Sequence, residues 1–347
     1  MPLHENSHNS PEPLTKYHLV IFQHGRRDRI NRPFVALVQT LLDEIITTPP
    51  EFTEIDIWLE SPGGDSHAAY KLILDLRSRC KKLCAVIPDY AKSAATLVAL
   101  GMDCIYMSPA AELGPLDVQM EHPDREGVEI SALDVANSLE YLTDTALDLT
   151  ITGGLKVLKY TQLPRHEVLH EILQFMARFL KPTITKLDPH IIHRANNELK
   201  VAEQYAKRML KMRKLPENRQ MDEEASSNLL SKLIKDYPTH GFVISRTEAK
   251  QLDLPIEDAE TNYNRWQRVK SLYEFSYQEG QTIVTVLLDS DLDIITEVAD
   301  LIQSPEINET TVVENEPTEN VEAKTVEEEQ SEERTYETRQ EGEAGTN

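Results

Sequence analysis

Two neighbouring stretches decide the fold: EIDIWLESPGGD at 54–65 and LCAVIPDYAKSAATLVAL at 83–100. Residues 54–59 alternate as a half-buried strand does, and the run breaks at Ser61-Pro62-Gly63-Gly64-Asp65. Residues 67–80 then place Ala69, Leu72, Ile73 and Leu76 at helical spacing. A second strand follows at 83–87, a turn at Pro88-Asp89-Tyr90, and a helix of small residues at 93–102. Strand, turn, helix, repeated, is the pattern of a parallel α/β sheet, with ligands expected at the carboxyl ends of its strands.

Working outward, residues 17–22 (YHLVIF) form another buried strand, and 32–47 spaces Phe34, Leu37, Val38, Leu41, Leu42 and Ile45 along one helix face before Pro49-Pro50. Residues 105–107 add a short strand. From about 131 to 235 the chain becomes helical, with Val168, Leu169, Ile172, Leu173, Phe175, Met176, Phe179 and Leu180 in helical register. Residues 241–254 return to a strand followed by a helix that starts at Ser245–Glu248. Residues 266–303 hold a helix, a strand at 282–288 and a final amphipathic helix. The expected organisation is therefore a leader at 1–16, a main domain at 17–255 with a helical insertion at about 131–236, a small extension at 256–303, and an acidic tail at 304–347.

The tail holds fourteen Glu and no Asp against one Lys and two Arg, a net −11 of the −23 carried by all 347 residues. Its polarity and lack of aromatics other than Tyr336 predict disorder. So acidic a chain is repelled by nucleic acid and by anionic membrane surfaces, which excludes both as main partners. No apolar run approaches the roughly 18 residues of a membrane-spanning helix. Residues 1–16, with Pro2, Pro11 and Pro13, lack the apolar centre of a signal peptide. Cys80, Cys84 and Cys104 form no CxxC pair and read as core thiols in a reducing compartment. Together these features predict a cytoplasmic protein.

Glycine is scarce, 12 in 347, so Gly63-Gly64 directly after a strand is informative. Backbone without side chains there can turn its N–H groups toward a ligand oxygen, or simply make a tight turn. Ser93 follows a strand and a turn and opens a helix. Its hydroxyl would lie near the positive helix end, with the next N–H free for an oxyanion, or it would serve as an ordinary N-cap.

In combination these features resemble the Clp protease and crotonase superfamily, and within it the serine dehydrogenase proteinase family, relatives of the signal peptide peptidases. The segments that carry the resemblance are ESPGGD (60–65), AKSAATLVALGMD (91–103), AAELGPLDVQ (110–119) and HGFVISRTEAKQLDL (240–254), in that order. The resemblance implies a Clp/crotonase-like α/β domain and a serine peptidase acting on peptide or unfolded protein, assembled as a homo-oligomer and without a cofactor or metal. It places the nucleophile on Ser93 and the backbone oxyanion hole on Gly63, Gly64 and Ala94. Clp subunits carry their triad in the order Ser, His, Asp, but this chain has no His at 113–117. The Ser, Asp, His order of the serine dehydrogenase proteinases puts the acid on Asp117 and the base on His240. A triad is defined by geometry rather than by chain order.

Three alternatives stay open. Signal peptide peptidases use a serine–lysine pair, but Lys92, Lys156 and Lys159 read as solvated surface lysines. HEVLH at 166–170 matches the HExxH zinc pattern. Pro164 and Arg165 put His166 in the first turn of its helix, however, Glu171 is charged where an uncharged residue is expected, and the best third ligand is Glu198. These histidines read as surface residues. The same scaffold could also serve as a non-catalytic oligomeric module.

Overall fold

A computed structural model describes residues 14–292, apart from 26–27, 124, 126–127, 161–163 and 217–219. Residues 1–13 of the leader expected at 1–16, the helix expected after 292 and the acidic tail lie outside the described residues, while Thr15 and Lys16 of that leader belong to the first strand instead.

Six strands form the main sheet. β1 (Thr15–Phe22), β2 (Thr53–Glu60), β3 (Lys82–Ile87) and a further strand at Cys104–Met107 run parallel as its centre. Between β3 and that strand comes the two-residue β4 (Tyr90–Ala91), so Cys104–Met107 is β5. The linking helices are α1 (Arg32–Ile45), α2 (Ser66–Arg79) and α3 (Ala94–Leu100). Asn31 caps α1 by accepting the N–H of Phe34 at 2.9 Å. Asp65, the last residue of SPGGD, caps α2 through the N–H of His67 at 2.8 Å.

Beyond β5 lie β6 (Glu112–Leu113) and a small antiparallel hairpin, β7 (Gln119–Glu121) with β8 (Glu129–Ser131). The helical section follows as α4 (Ala132–Tyr160), α5 (Arg165–Ile184), α6 (Pro189–Met212) and α7 (Glu223–Ser231), which continues as a π-turn over Lys232–Asp236. The chain then returns through β9 (Ile244–Ser245), α8 (Arg246–Gln251), β10 (Ile256–Asp258), α9 (Ala259–Asn262), α10 (Trp266–Glu279) and β11 (Ile283–Leu288). The sheet order is β10-β5-β3-β2-β1-β11. β10 pairs parallel with β5, and β11 closes the other edge antiparallel to β1. A second sheet, β4-β6-β9, gathers the three loops above the carboxyl ends of the main strands.

The period-two pattern of β1 explains its two-sided burial. Leu19 and Ile21 face a core shared with Val35 and Val38 of α1, Leu72 and Ile73 of α2, Val98 of α3 and Met209 of α6. Val20 and Phe22 face a smaller core with Trp58, Val86, Tyr263, Val269 and Leu272. Cys80 and Cys84 are buried and Cys104 is half-buried. No described helix is long and apolar enough to cross a membrane.

Candidate active site

Three chain reversals meet at the carboxyl ends of β2 and β3. The first is the Ser61–Asp65 turn. Its Gly63 and Gly64 have φ values of 99° and 145°, which residues with a Cβ rarely adopt. A Cβ on Gly63 would lie 2.9 Å from both Ala94 N and Ser93 Cβ and would also strike the carbonyl oxygen of Lys92. Glycine at 63 is thus what lets this turn close onto the start of α3. The two segments are stitched by Lys92 N–H donating to Ser61 O at 3.0 Å and Ser61 N–H to Tyr90 O at 3.1 Å.

Ser93 has φ 50° and ψ −115°, a strained conformation for a non-glycine residue. Its side chain makes no capping hydrogen bond, so the N-cap alternative does not describe it. The hydroxyl donates instead to Asp117 O at the long distance of 3.5 Å. Strain at a strand-to-helix corner is the setting in which hydrolase folds present a nucleophilic serine.

The amides around Ser93 divide in a way the sequence did not show. Gly63 N–H donates to Ser61 Oγ at 3.0 Å, and Ser61 Oγ donates on to Gln23 Oε1 at 2.5 Å. That amide is committed to holding the turn. Among the described residues no hydrogen bond engages the N–H of Gly64 or of Ala94, the first residue of α3. Gly63 lies between them in the turn, where a Cβ would come within 2.9 Å of Ala94 N.

Asp117 and His240 come from the other two reversals. Asp117 follows β6 and is 3% exposed. Its Oδ2 accepts Gln119 Nε2 at 3.1 Å and its Oδ1 accepts Leu133 N–H, at the head of α4, at 3.4 Å. The π-turn after α7 fixes this strand end, because Leu116 N–H donates to Leu233 O at 2.8 Å. Burial raises the Asp117 carboxyl above its ordinary value, opposed by hydrogen bonds from Ser131 and Leu133 and by the charge of His240. His240 sits in the turn before β9 with its side chain one-third exposed. Its Nδ1 is 3.8 Å from Asp117 Oδ2 and has no hydrogen-bond partner.

Ser93 and His240 therefore both lie against Asp117, and among the described residues no hydrogen bond joins the three side chains to one another. Ser93 Oγ donates to the Asp117 main chain, and the carboxylate and imidazole stand just beyond hydrogen-bond distance. Catalytic contacts are often long before substrate binds. A cleft of about 790 Å³, walled by Gln119, Ser131, Asp134, Ile191 and Thr239, includes His240 but neither Ser93 nor Asp117. A serine hydroxyl, an imidazole next to a buried carboxylate, and two unengaged amides are the groups that acyl transfer uses.

The remaining sequence candidates lie elsewhere. His166 and His170 are exposed on the first turns of α5, where His170 Nε2 pairs with Gln174 Nε2 at 2.8 Å, a contact in which the amide donates. They border an apolar groove of about 1000 Å³ between α4 and α5 that contains none of Ser93, Asp117 and His240. Among the described residues no group of three His, Cys, Asp or Glu side chains is placed to hold a metal ion, so Glu198 does not complete HEVLH. Lys156 and Lys159 are exposed near the end of α4.

Lys92 differs from its expected solvated state. Its side chain is 14% exposed and its Nζ is 2.6 Å from Glu112 Oε1. The reason is local. The residue before Ser93 points under the glycine-bearing turn at Gly114 rather than outward, and a Cβ on Gly114 would lie 2.7 Å from Lys92 Cδ. Nothing in a single lysine between Ala91 and Ser93 signals that burial; it follows from the pairing of β4 with β6.

Two similarities to known proteins fit this geometry. The uncharacterized proteins MJ1495 and MJ0137 of Methanocaldococcus jannaschii are 37% and 36% identical over 75 residues. Each match covers 22% of this chain and 26% of the relative, so the similarity spans about a quarter of those proteins' length. Residues 38–141, which include SPGGD, Ser93 and Asp117, match the family described as ClpP-like SDH-type serine proteinases, and this match supports the family resemblance drawn from the motifs.

Proposed function

We propose that the protein is a serine peptidase that hydrolyses peptide bonds with Ser93 as nucleophile. The observation that carries this reading is the strained Ser93 corner, held against Gly63 beside two open amides, with Asp117 and His240 in the adjoining reversals.

In the proposed reaction the Ser93 hydroxyl turns from Asp117 O toward His240, which takes its proton as Oγ attacks the substrate carbonyl carbon. The tetrahedral oxyanion is held by the N–H groups of Gly64 and Ala94. Asp117 orients the imidazole and stabilises it once charged, without itself taking the proton. His240 then protonates the leaving amine, and the peptide carboxyl-side fragment departs. Water, deprotonated by His240, releases the acyl group from Ser93. Peptide or unfolded protein is the substrate class that the resemblance implies. The resemblance further implies a homo-oligomer.

Labelling by a serine-directed fluorophosphonate tests the reading. The wild-type chain should label at Ser93 and cleave an unfolded protein, and Ser93→Ala should do neither while keeping its circular dichroism and melting temperature. Full cleavage by Ser93→Ala would exclude the serine mechanism. Folded wild-type protein that neither labels nor cleaves would identify the chain as a non-catalytic member of its fold.

A further inference from the structure

We propose that Lys92 is a positioning residue that sets the base-bearing segment against the nucleophile, an inference that rests on the serine-peptidase reading. An ammonium group has three N–H donors. All three of Lys92's have acceptors, each on a different residue: Glu112 Oε1 at 2.6 Å, Leu113 O at 3.2 Å and Phe242 O at 3.2 Å. Its main chain is held as firmly, with N–H to Ser61 O at 3.0 Å and O accepting from Ala95 N–H at 2.8 Å. One residue therefore joins the glycine turn, the first turn of the nucleophile helix, the strand leading to Asp117 and the segment carrying His240.

The link to His240 is short. Phe242 N–H closes the turn onto Thr239 O at 3.1 Å, so His240 lies inside a loop whose closing residue is pinned by Lys92 through its carbonyl. β9 pairing with β6, the Tyr237 hydroxyl donating to Glu248 Oε1 at 2.8 Å, and the buried Tyr237 ring lying 4.7 Å from that of Phe242 hold the ends of this loop, while Lys92 reaches it from the nucleophile side. The imidazole is one-third exposed and its Nδ1 has no partner, so its position depends on the backbone that carries it. The stem of Lys92 also fits only because residue 114 is glycine. Lys92 cannot easily act as the base itself. Its Nζ is engaged by Glu112, Leu113 and Phe242, whereas the Ser93 hydroxyl is directed to Asp117 O.

The test uses the full chain, with kcat and KM measured on a peptide substrate and the rate of fluorophosphonate labelling at Ser93. Lys92→Met keeps the stem but removes the three contacts. It should lower kcat about 10- to 100-fold with KM changed less than about twofold, since small misplacements of a catalytic group cost this much. In a His240→Ala background the same substitution should cost less than about twofold more, because its effect passes through the imidazole. Glu112→Gln, which keeps the lysine and its two carbonyl contacts, should lose only about 2- to 5-fold and provides a reading if Lys92→Met does not fold. Unchanged kcat in Lys92→Met, or an equal loss with and without His240, overturns the proposal. Complete loss of labelling in folded Lys92→Met with His240→Ala still active would make Lys92 the base and also overturn it. Activity retained in Ser93→Ala instead removes the serine reading on which the proposal stands.

Discussion

At the scale of single residues, the turn at Gly63 closes directly against Ser93. Gly63 has to be glycine for two separate reasons, its φ of 99° and its approach to Ser93 and Ala94. Gly63→Ala should therefore destabilise the chain by about 2 kcal/mol or more, read as a lower urea midpoint. It should also slow labelling of Ser93 well beyond the unfolded fraction, because relieving the clash must move the corner that presents the hydroxyl. Normal labelling in the folded variant would show that the close approach is incidental. Asp117→Asn tests a different property. Its oxygens accept from Gln119 and Leu133, so an amide can preserve part of that network but cannot stabilise an imidazolium. Cleavage should fall about 10³- to 10⁴-fold with residual turnover, as for triad acids in general. Retention of more than a tenth of wild-type kcat would remove Asp117 from the mechanism.

At the scale of elements, the end of β2 holds a buried acid just before the glycine turn. Glu60 is fully buried, with His24 Nδ1 3.1 Å from its Oε1. Burial, with Asp89 adding to it, raises the Glu60 carboxyl to about 8, while burial lowers the His24 pKa. Both shifts favour an uncharged pair at neutrality. The folded chain then holds a proton on Glu60 that the unfolded chain releases near its ordinary value of 4.5. Stability from this group is complete below about pH 4.5 and is lost as pH rises toward 8. Urea unfolding of wild type should show stability falling over that window relative to Glu60→Gln, by on the order of a few kcal/mol in total. A difference between the two chains that stays constant from pH 5 to 8 would show that Glu60 is ionised in the folded state.

The same elements show what could be read in advance. β1, β2, β3 and the helices between them were legible because a period of two or of 3.6 is local to each segment. Ser93 and the glycine turn were legible because they interrupt that periodicity at strand ends. The antiparallel closure by β11, the β4-β6-β9 sheet and the β7–β8 hairpin were not, because these pairings join residues far apart or only two or three long. Lys92 was misread for the same reason: its partners, Leu113 and Phe242, lie 21 and 150 positions away. The commitment of Gly63 N–H to Ser61 Oγ likewise depends on a local turn geometry that SPGGD permits without dictating.

At the scale of the whole molecule, the described residues divide into a sheet core with closely packed helices and a long hairpin that packs sparsely. In α4, 29 residues long, only Ala132 and Thr150 are buried, and in α5, 20 residues long, only Val168 and Met176. Leu155, Phe175 and Phe179 are 60–65% exposed on the same hairpin. Helices in water draw most of their stability from a buried face, and these two bury little of theirs. Amides of α4 and α5 should therefore exchange hydrogen through local opening, at a free energy well below that for β2 and β3, which should exchange only on global unfolding. Exchange measured by mass spectrometry in dilute protein, with the oligomeric state recorded by light scattering, checks this. Fast exchange across α4 and α5 in the monomer, slowing as concentration rises, is expected if a second copy covers the apolar face, consistent with the homo-oligomer that the family resemblance implies. Protection of α4 and α5 equal to that of β2 in monomeric protein would show that the hairpin is stable by itself, and would remove packing density as the basis for this division.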